Sequence, residues 1–148
     1  MANATQDFLG SETQRSAARI ELYDVQGLWG GRRIAVEGAT RVVVQLIQTA
    51  MHERRYEFAP DEAEIKLLLD LFVENDFLTI QPAERPGIPD EARPRITLVN
   101  AAGDKWAVAK WARVPDGRFD ALYRALLRFE KVTETMDPVY TGPYTLAT

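Results

Sequence analysis

Residues 32–48 read RRIAVEGATRVVVQLIQ, and this stretch decides the fold class. Its apolar and polar side chains alternate on both sides of Gly38, which is typical of two strands joined by a hairpin turn. A two-residue turn would place Arg41 opposite Val36, on the apolar face. A three-residue turn over 38–40 instead pairs Glu37 with Arg41. The apolar pairs that result are Val36 with Val42 and Ile34 with Val44. We therefore predict the three-residue turn.

Further strands and helices are predicted on either side of this hairpin. A strand over 19–25 ends in the glycine-rich reversal 27–31. Residues 50–59 either extend the hairpin strand or open a loop. A helix begins at Pro60, has its apolar positions at helical spacing, and stops at Asn75 in a left-handed conformation. A short strand is predicted over 77–80.

The last third of the domain predicts a second hairpin and a second helix. Strands over 95–99 and 105–111 flank an odd loop, which places Trp106 on the core face and Trp111 on the opposite face. Trp106 is thus predicted to be buried. Apolar residues between Phe119 and Phe129 indicate a helix of about four turns. The fold class is therefore α+β, an antiparallel sheet of about five strands with two amphipathic helices in the order βββαββα.

The ends of the chain differ from the middle in composition. Residues 1–18 are small and polar and predict a flexible N-terminal arm, while 19–134 form a single α+β domain. Residues 135–148 predict an extended C-terminal tail, barred from a helix by its prolines. Because this tail carries two tyrosines, Tyr140 and Tyr144, we expect it to dock on apolar surface of the same chain or of a partner.

Charge and composition exclude several classes of protein. The 148 residues carry 18 basic and 22 acidic side chains, a net charge of −4, so nucleic acid is not the expected partner. The absence of cysteine excludes disulfides and thiolate sites. The sequence contains no apolar run long enough to span a membrane, and its N-terminus lacks the pattern of a secretory signal. A cytoplasmic location is therefore expected.

No catalytic constellation stands out. His52 is the only histidine, and Tyr56 stands where a zinc motif would need the second one. The two serines, Ser11 and Ser16, both lie in the arm. We expect no catalytic residue, no cofactor and no metal, and hence no enzyme. The alternative is a small enzyme that uses the carboxylates of helix 61–76.

The sheet face opposite the core is expected to be uncharged and apolar. Its predicted side chains are Ala35, Val43, Ile47, Thr97, Val99, Ala107, Ala109 and Trp111. An open face of this kind needs a cover, either from the chain itself or from a protein partner or a second copy. The proline-rich loop 81–95 is too long for a mere connection. The predicted partner-binding residues are Trp29, Pro86, Pro89, Trp111, Tyr140 and Tyr144.

The order of features resembles emfourin, a small bacterial protein inhibitor of thermolysin-like metallopeptidases. The resemblance spans 19–132 and depends on the turn 27–31, on Pro60-Asp61-Glu62-Ala63 at the helix start, and on Asn75-Asp76-Phe77-Leu78 after it. This chain differs by a longer stretch between 37 and 60 and by its C-terminal tail. The resemblance implies a bacterial protein without a cofactor that is either an inhibitor of a zinc metallopeptidase or a binding scaffold.

Overall fold

Seven antiparallel strands form one sheet in the order β6-β5-β1-β2-β3-β4-β7 in the computed structural model, which describes residues 3–146. The strands are β1 Arg19–Gln26, β2 Gly30–Glu37, β3 Arg41–Gln48, β4 His52–Phe58, β5 Arg95–Val99, β6 Lys105–Ala109 and β7 Tyr140–Pro143. The described residues form four α-helices, α1 Ala4–Leu9, α2 Glu12–Arg15, α3 Glu62–Glu74 and α4 Gly117–Val132. Short 3-10 turns cover Thr49–Met51, Phe77–Thr79 and Thr133–Thr135.

The α+β class and the antiparallel sheet are confirmed, but the count of about five strands and two helices is wrong. The observed order is ααββββαββαβ rather than βββαββα. One added strand, β4, follows a reversal in which Ala50 and Met51 adopt φ values of 67° and 55°. Neither residue type favours the left-handed region, so the turn carries no sequence signal. The other, β7, is an edge strand, where proline is tolerated.

Both predicted hairpin registers are confirmed. Glu37 pairs with Arg41 across the three-residue turn, and Val36 pairs with Val42. In the second hairpin, Leu98 pairs with Trp106. The core lies between one sheet face and the helices, with Phe72 of α3 and Leu122 and Leu126 of α4 fully buried.

The expected burial of Trp106 is wrong. Its side chain is on the core face, as its pairing with Leu98 requires, yet it is 45% exposed. The reason is position in the sheet: β6 is an edge strand with a neighbour on one side only. Strand parity determines the face of a side chain but not its distance from the middle of the sheet.

The boundaries of α3 are displaced slightly from those predicted. The helix begins at Glu62 with Asp61 as its N-cap, and the left-handed residue after it is Asp76 (φ 41°) rather than Asn75. The predicted strand over 77–80 is wrong, since Phe77–Thr79 is a 3-10 turn.

The N-terminal residues pack against this turn. The Asp76 carboxylate accepts hydrogen bonds from the backbone N–H and the hydroxyl of Thr5, at 3.0 and 2.8 Å. Thr5 and Leu9 are both buried. Within residues 3–146, no helix has the length and apolar character needed to cross a membrane.

Candidate functional site

The Gln26 side chain holds the turn between β1 and β2, and two glycines permit its backbone conformation. The Gln26 side-chain oxygen accepts hydrogen bonds from the backbone N–H groups of Leu28 (2.6 Å) and Trp29 (3.0 Å). Gly30 and Gly31 have φ values of 81° and 145°. A Cβ on Gly31 would lie 1.9 Å from a backbone oxygen of β1, so only glycine fits.

The same turn leaves two large apolar side chains in solvent. Leu28 is 59% exposed and Trp29 is 65% exposed. Trp29 was predicted from the sequence, whereas Leu28 was missed. The signal for Leu28 was its place beside Trp29 in the glycine-rich reversal 27–31.

The proline-rich loop 81–94 meets the sheet at the same end as this turn. Strand β5, which follows the loop, begins at Arg95 opposite Tyr23, near the end of β1. We call this end of the sheet, with the turn 27–29 and the loop 81–94, the turn end. Pro86 and Pro89 are exposed there, as is Ile88 (45%), so the predicted loop residues and the predicted Trp29 share one end of the molecule.

One carboxylate orders the proline-rich loop. Glu91 accepts hydrogen bonds from Arg85 (2.6 Å) and from the backbone N–H of Arg113 (2.8 Å). Its side chain is only 2% exposed. The Arg85 guanidinium lowers the pKa of Glu91 to about 2, with the Arg113 and Ile88 backbone N–H groups acting in the same direction. Sequence reasoning missed Glu91, because its partner Arg113 lies 22 residues further along the chain.

Trp111, a predicted partner-binding residue, lies beneath this loop. A Cβ on Gly87 would stand 2.5 Å from the Trp111 ring, and the Arg93 guanidinium lies 5.1 Å from the ring centroid. The side chain is half-buried. Its packing holds the loop in place, and its contact with a partner stays a prediction.

The expected uncharged second face of the sheet is wrong. One register row runs across all seven strands of the described sheet: Ala109, Arg95, Tyr23, Arg33, Gln45, Arg55 and Tyr140. Arg33 donates hydrogen bonds to Glu21 (2.7 Å) and Gln45 (2.9 Å). Gln45 donates to Glu53 at 2.7 Å, and both are fully buried. The charged members of this row are Arg95 of β5, Arg33 of β2 and Arg55 of β4, and Glu21 of β1 and Glu53 of β4 lie on the same face. The predicted face included residues of β2 and β5 but none of β1 or β4.

The C-terminal segment covers part of this face in the same chain. The backbone oxygen of Thr145 accepts a hydrogen bond from Gln45 (2.6 Å), and the backbone N–H of Thr145 donates one to Glu53 (3.2 Å). Arg55 donates to the Thr145 hydroxyl at 2.7 Å. These contacts give the buried side chains of the second face their remaining partners. Docking of the tail on the second face is confirmed, and the cover is intramolecular.

The two predicted tail anchors, Tyr140 and Tyr144, therefore contact the chain's own sheet. Tyr140 lies in β7, with the Arg55 guanidinium 4.7 Å from its ring centroid. The backbone N–H of Tyr144 donates to Met51 at 2.8 Å. Burial raises the pKa of Tyr144, and the nearby Tyr23 hydroxyl does the same. Their predicted role as partner contacts receives no support from this placement.

A second polar cluster, missed from the sequence, lies where α4 crosses β1 and β2. Tyr123 donates a short hydrogen bond to Asp24 and accepts one from Arg32 at 2.8 Å. Arg32 also pairs with Glu130 at 2.9 Å. Burial and then the hydrogen bond to Asp24 raise the pKa of Tyr123. The polar groups of these residues are hydrogen-bonded to one another, so the cluster joins α4 to β1 and β2.

The residues considered for catalysis are dispersed. His52 is exposed at the start of β4. Asp70 of α3 pairs with Arg15 at 3.4 Å, and Asp76, after the end of α3, accepts hydrogen bonds from Thr5. Within residues 3–146, no group of three or more His, Cys, Asp or Glu side chains could hold a metal ion.

A scan against models of known protein families finds no match, and a search of curated proteins finds no significant one.

Proposed function

We propose that this chain is a non-enzymatic protein-binding module that contacts its partner with the turn end of the sheet. One observation carries the proposal: Leu28 and Trp29 are 59% and 65% exposed on a turn whose backbone N–H groups are bound by the Gln26 side chain. Large apolar side chains at adjacent positions of a rigid turn have no role in the chain's own core.

A rigid exposed tryptophan is a favourable anchor for binding. Binding loses less conformational entropy when the loop already has its bound shape. Tryptophan is also enriched among the few side chains that dominate the energy of protein interfaces. Ile88 and Pro86 are exposed in the loop that meets the sheet at the same end, and Glu91 holds that loop in place.

The test is quantitative capture with matched variants. The wild-type chain and the variants Trp29→Ala, Leu28→Ala and Val139→Ala are immobilised and exposed to the same lysate of the source organism. Val139 is the control, since it is equally exposed (60%) but lies before β7 rather than in the turn. We expect a protein that the wild type and Val139→Ala retain and both turn variants lose. A set of captured proteins that is the same for all four chains would contradict the proposal.

A peptidase inhibitor is the second candidate, favoured by the same rigid turn. Inhibitors bind proteases with backbones that move little between the free and bound states. The test is inhibition of a panel of zinc metallopeptidases by the wild type and by Trp29→Ala. Loss of inhibition in the variant would support this function, and an inactive wild type at micromolar concentration would reject it.

A further inference from the structure

Strand β6 is an edge of the sheet, and among the described residues 3–146 no strand neighbours its outer backbone groups. At one end of the β5–β6 pair, the N–H of Asn100 donates to Asp104, and at the other the N–H of Lys110 donates to Pro94, both at 3.0 Å. Hydrogen-bonded pairs alternate along an antiparallel ladder. Trp106 and Val108 therefore direct their backbone groups toward β5. The outward-directed residues are Lys105, Ala107 and Ala109.

This edge carries few of the features that usually prevent pairing between molecules. Natural edge strands are protected by proline, bulges or charge. The opposite edge, β7, contains Gly142 and Pro143. Strand β6 reads KWAVA, with neither glycine nor proline and with one charge, Lys105. Its Trp106 is 45% exposed on the core-side face.

We propose that β6 pairs antiparallel with β6 of a second copy of this chain, with the two-fold axis at Ala107. The two sheets then form one continuous sheet of fourteen strands, twice the seven of one chain. In a two-fold interface the same patch must complement itself. The register at Ala107 meets this condition for the backbone and for both faces.

The backbone match follows from the alternation above. Ala107 faces Ala107, and Lys105 faces Ala109, so every outward N–H and C=O of the strand gains a partner. Centring the axis at Ala107 also separates the two Lys105 Cα atoms by four residues, about 13 Å at the usual rise of a strand. Like charges therefore do not oppose each other.

The side chains match as well. On the core-side face each Trp106 lies opposite Val108 of the second copy, in the closer type of cross-strand pair. This pairing covers an aromatic ring that its own chain leaves exposed. On the other face Ala107 meets Ala107, and two methyl groups permit close approach. An unrelated strand would not carry these complementary side chains at these positions, so a second copy is the favoured occupant.

The contact is small, which limits the affinity of the dimer. Stable interfaces bury about 1,200 Å² or more in total. Pairing over the five residues of β6 gives a smaller contact. We therefore expect a reversible dimer with a dissociation constant in the micromolar range or weaker.

A disulfide probe tests the register directly, because the chain has no cysteine of its own. In Ala107→Cys the two Cα atoms would be about 5.5 Å apart, within the range that a disulfide spans. Lys105→Cys is the matched control, since its Cα atoms would be beyond the limit of about 7 Å. We expect mild oxidation to yield covalent dimer for Ala107→Cys and not for Lys105→Cys. Equal yields for the two variants would overturn the proposed register.

Sedimentation velocity from low micromolar to near-millimolar concentration tests the dimer itself. Ala107→Pro removes the outward-directed N–H at the centre of β6, and edge strands tolerate proline. Trp106→Ser removes the apolar contact. Each should weaken dimerisation about tenfold or more, equivalent to about 1.4 kcal/mol. Trp29→Ala, at the proposed partner surface, should leave the dimer unchanged. A wild type that stays monomeric throughout, even one that binds another protein through the turn end, would overturn the inference.

Discussion

At the scale of single residues, Glu91 makes the stability of the chain depend on pH. Its pKa in the folded chain is about 2, against 4.5 for the free side chain, because Arg85 and two backbone N–H groups favour the carboxylate. A group with a lowered folded pKa stabilises the fold above its unfolded pKa, and this contribution is lost as the pH falls through the folded pKa. The loss should therefore occur between pH 4.5 and about 2.

We expect Glu91→Gln to have a lower melting temperature than the wild type at pH 7, and the difference to shrink as the pH falls toward 2. Thermal unfolding of both chains across this range measures the effect. Glu84→Gln is the control, because Glu84 pairs with Arg93 in the same loop but is 70% exposed. A difference between Glu91→Gln and wild type that stays constant with pH would contradict the linkage.

Trp106 provides a second residue-scale prediction. Because its side chain is 45% exposed, Trp106→Ala should cost at most about 1 kcal/mol, below the usual cost of removing a buried aromatic. Its paired neighbour Leu98 is fully buried, and Leu98→Ala should cost about 2–5 kcal/mol. Denaturant unfolding below the concentrations at which the chain dimerises compares the two. Equal losses of free energy of unfolding would show that Trp106 belongs to the core.

At the scale of elements, the C-terminal segment completes the hydrogen bonding of the sheet. Truncation after Pro143 removes Thr145, which contacts Gln45, Glu53 and Arg55. A buried polar group that loses its partner costs about 1–3 kcal/mol, so the truncated chain should be destabilised by that order. Differential scanning calorimetry measures the loss.

Leu146→Ala is the matched control for this truncation, since Leu146 follows Thr145 directly but is 63% exposed. It should melt at the wild-type temperature. If the truncated chain also did so, the segment would be a passive extension rather than part of the sheet.

At the scale of the whole molecule, one core joins all the layers. The cluster of buried apolar residues includes Leu9 of α1, Ile34 of β2, Phe72 of α3 and Leu126 of α4. A single core of this kind predicts one cooperative unfolding transition. Denaturant curves followed by far-ultraviolet circular dichroism and by tryptophan fluorescence should coincide. Separate transitions would show that the arm or the second hairpin unfolds independently.

Local patterns determined much of this fold. Alternation with a period of two residues sets the register of both hairpins, since a shift of one residue would move every apolar side chain to the wrong face. Helical spacing marks α3 and α4 because each has one face buried. The composition of the turn 27–31 likewise marks a tight reversal with Trp29 at its tip. Each of these features depends on neighbours a few residues away, which is why the sequence alone determined them.

Only the tertiary structure decided the features that depend on distant neighbours. The position of β6 at the edge exposes Trp106, and no local pattern records the order of strands in a sheet. Glu91 is ordered by Arg113, and Gln45 by Thr145, 100 residues further along the chain. The sequence marks Gln45 as a polar residue in an apolar strand, but a buried polar group is explained only by its partner. Folding brings that partner near, so the burial and hydrogen bonding of the second face could be determined only from the tertiary structure.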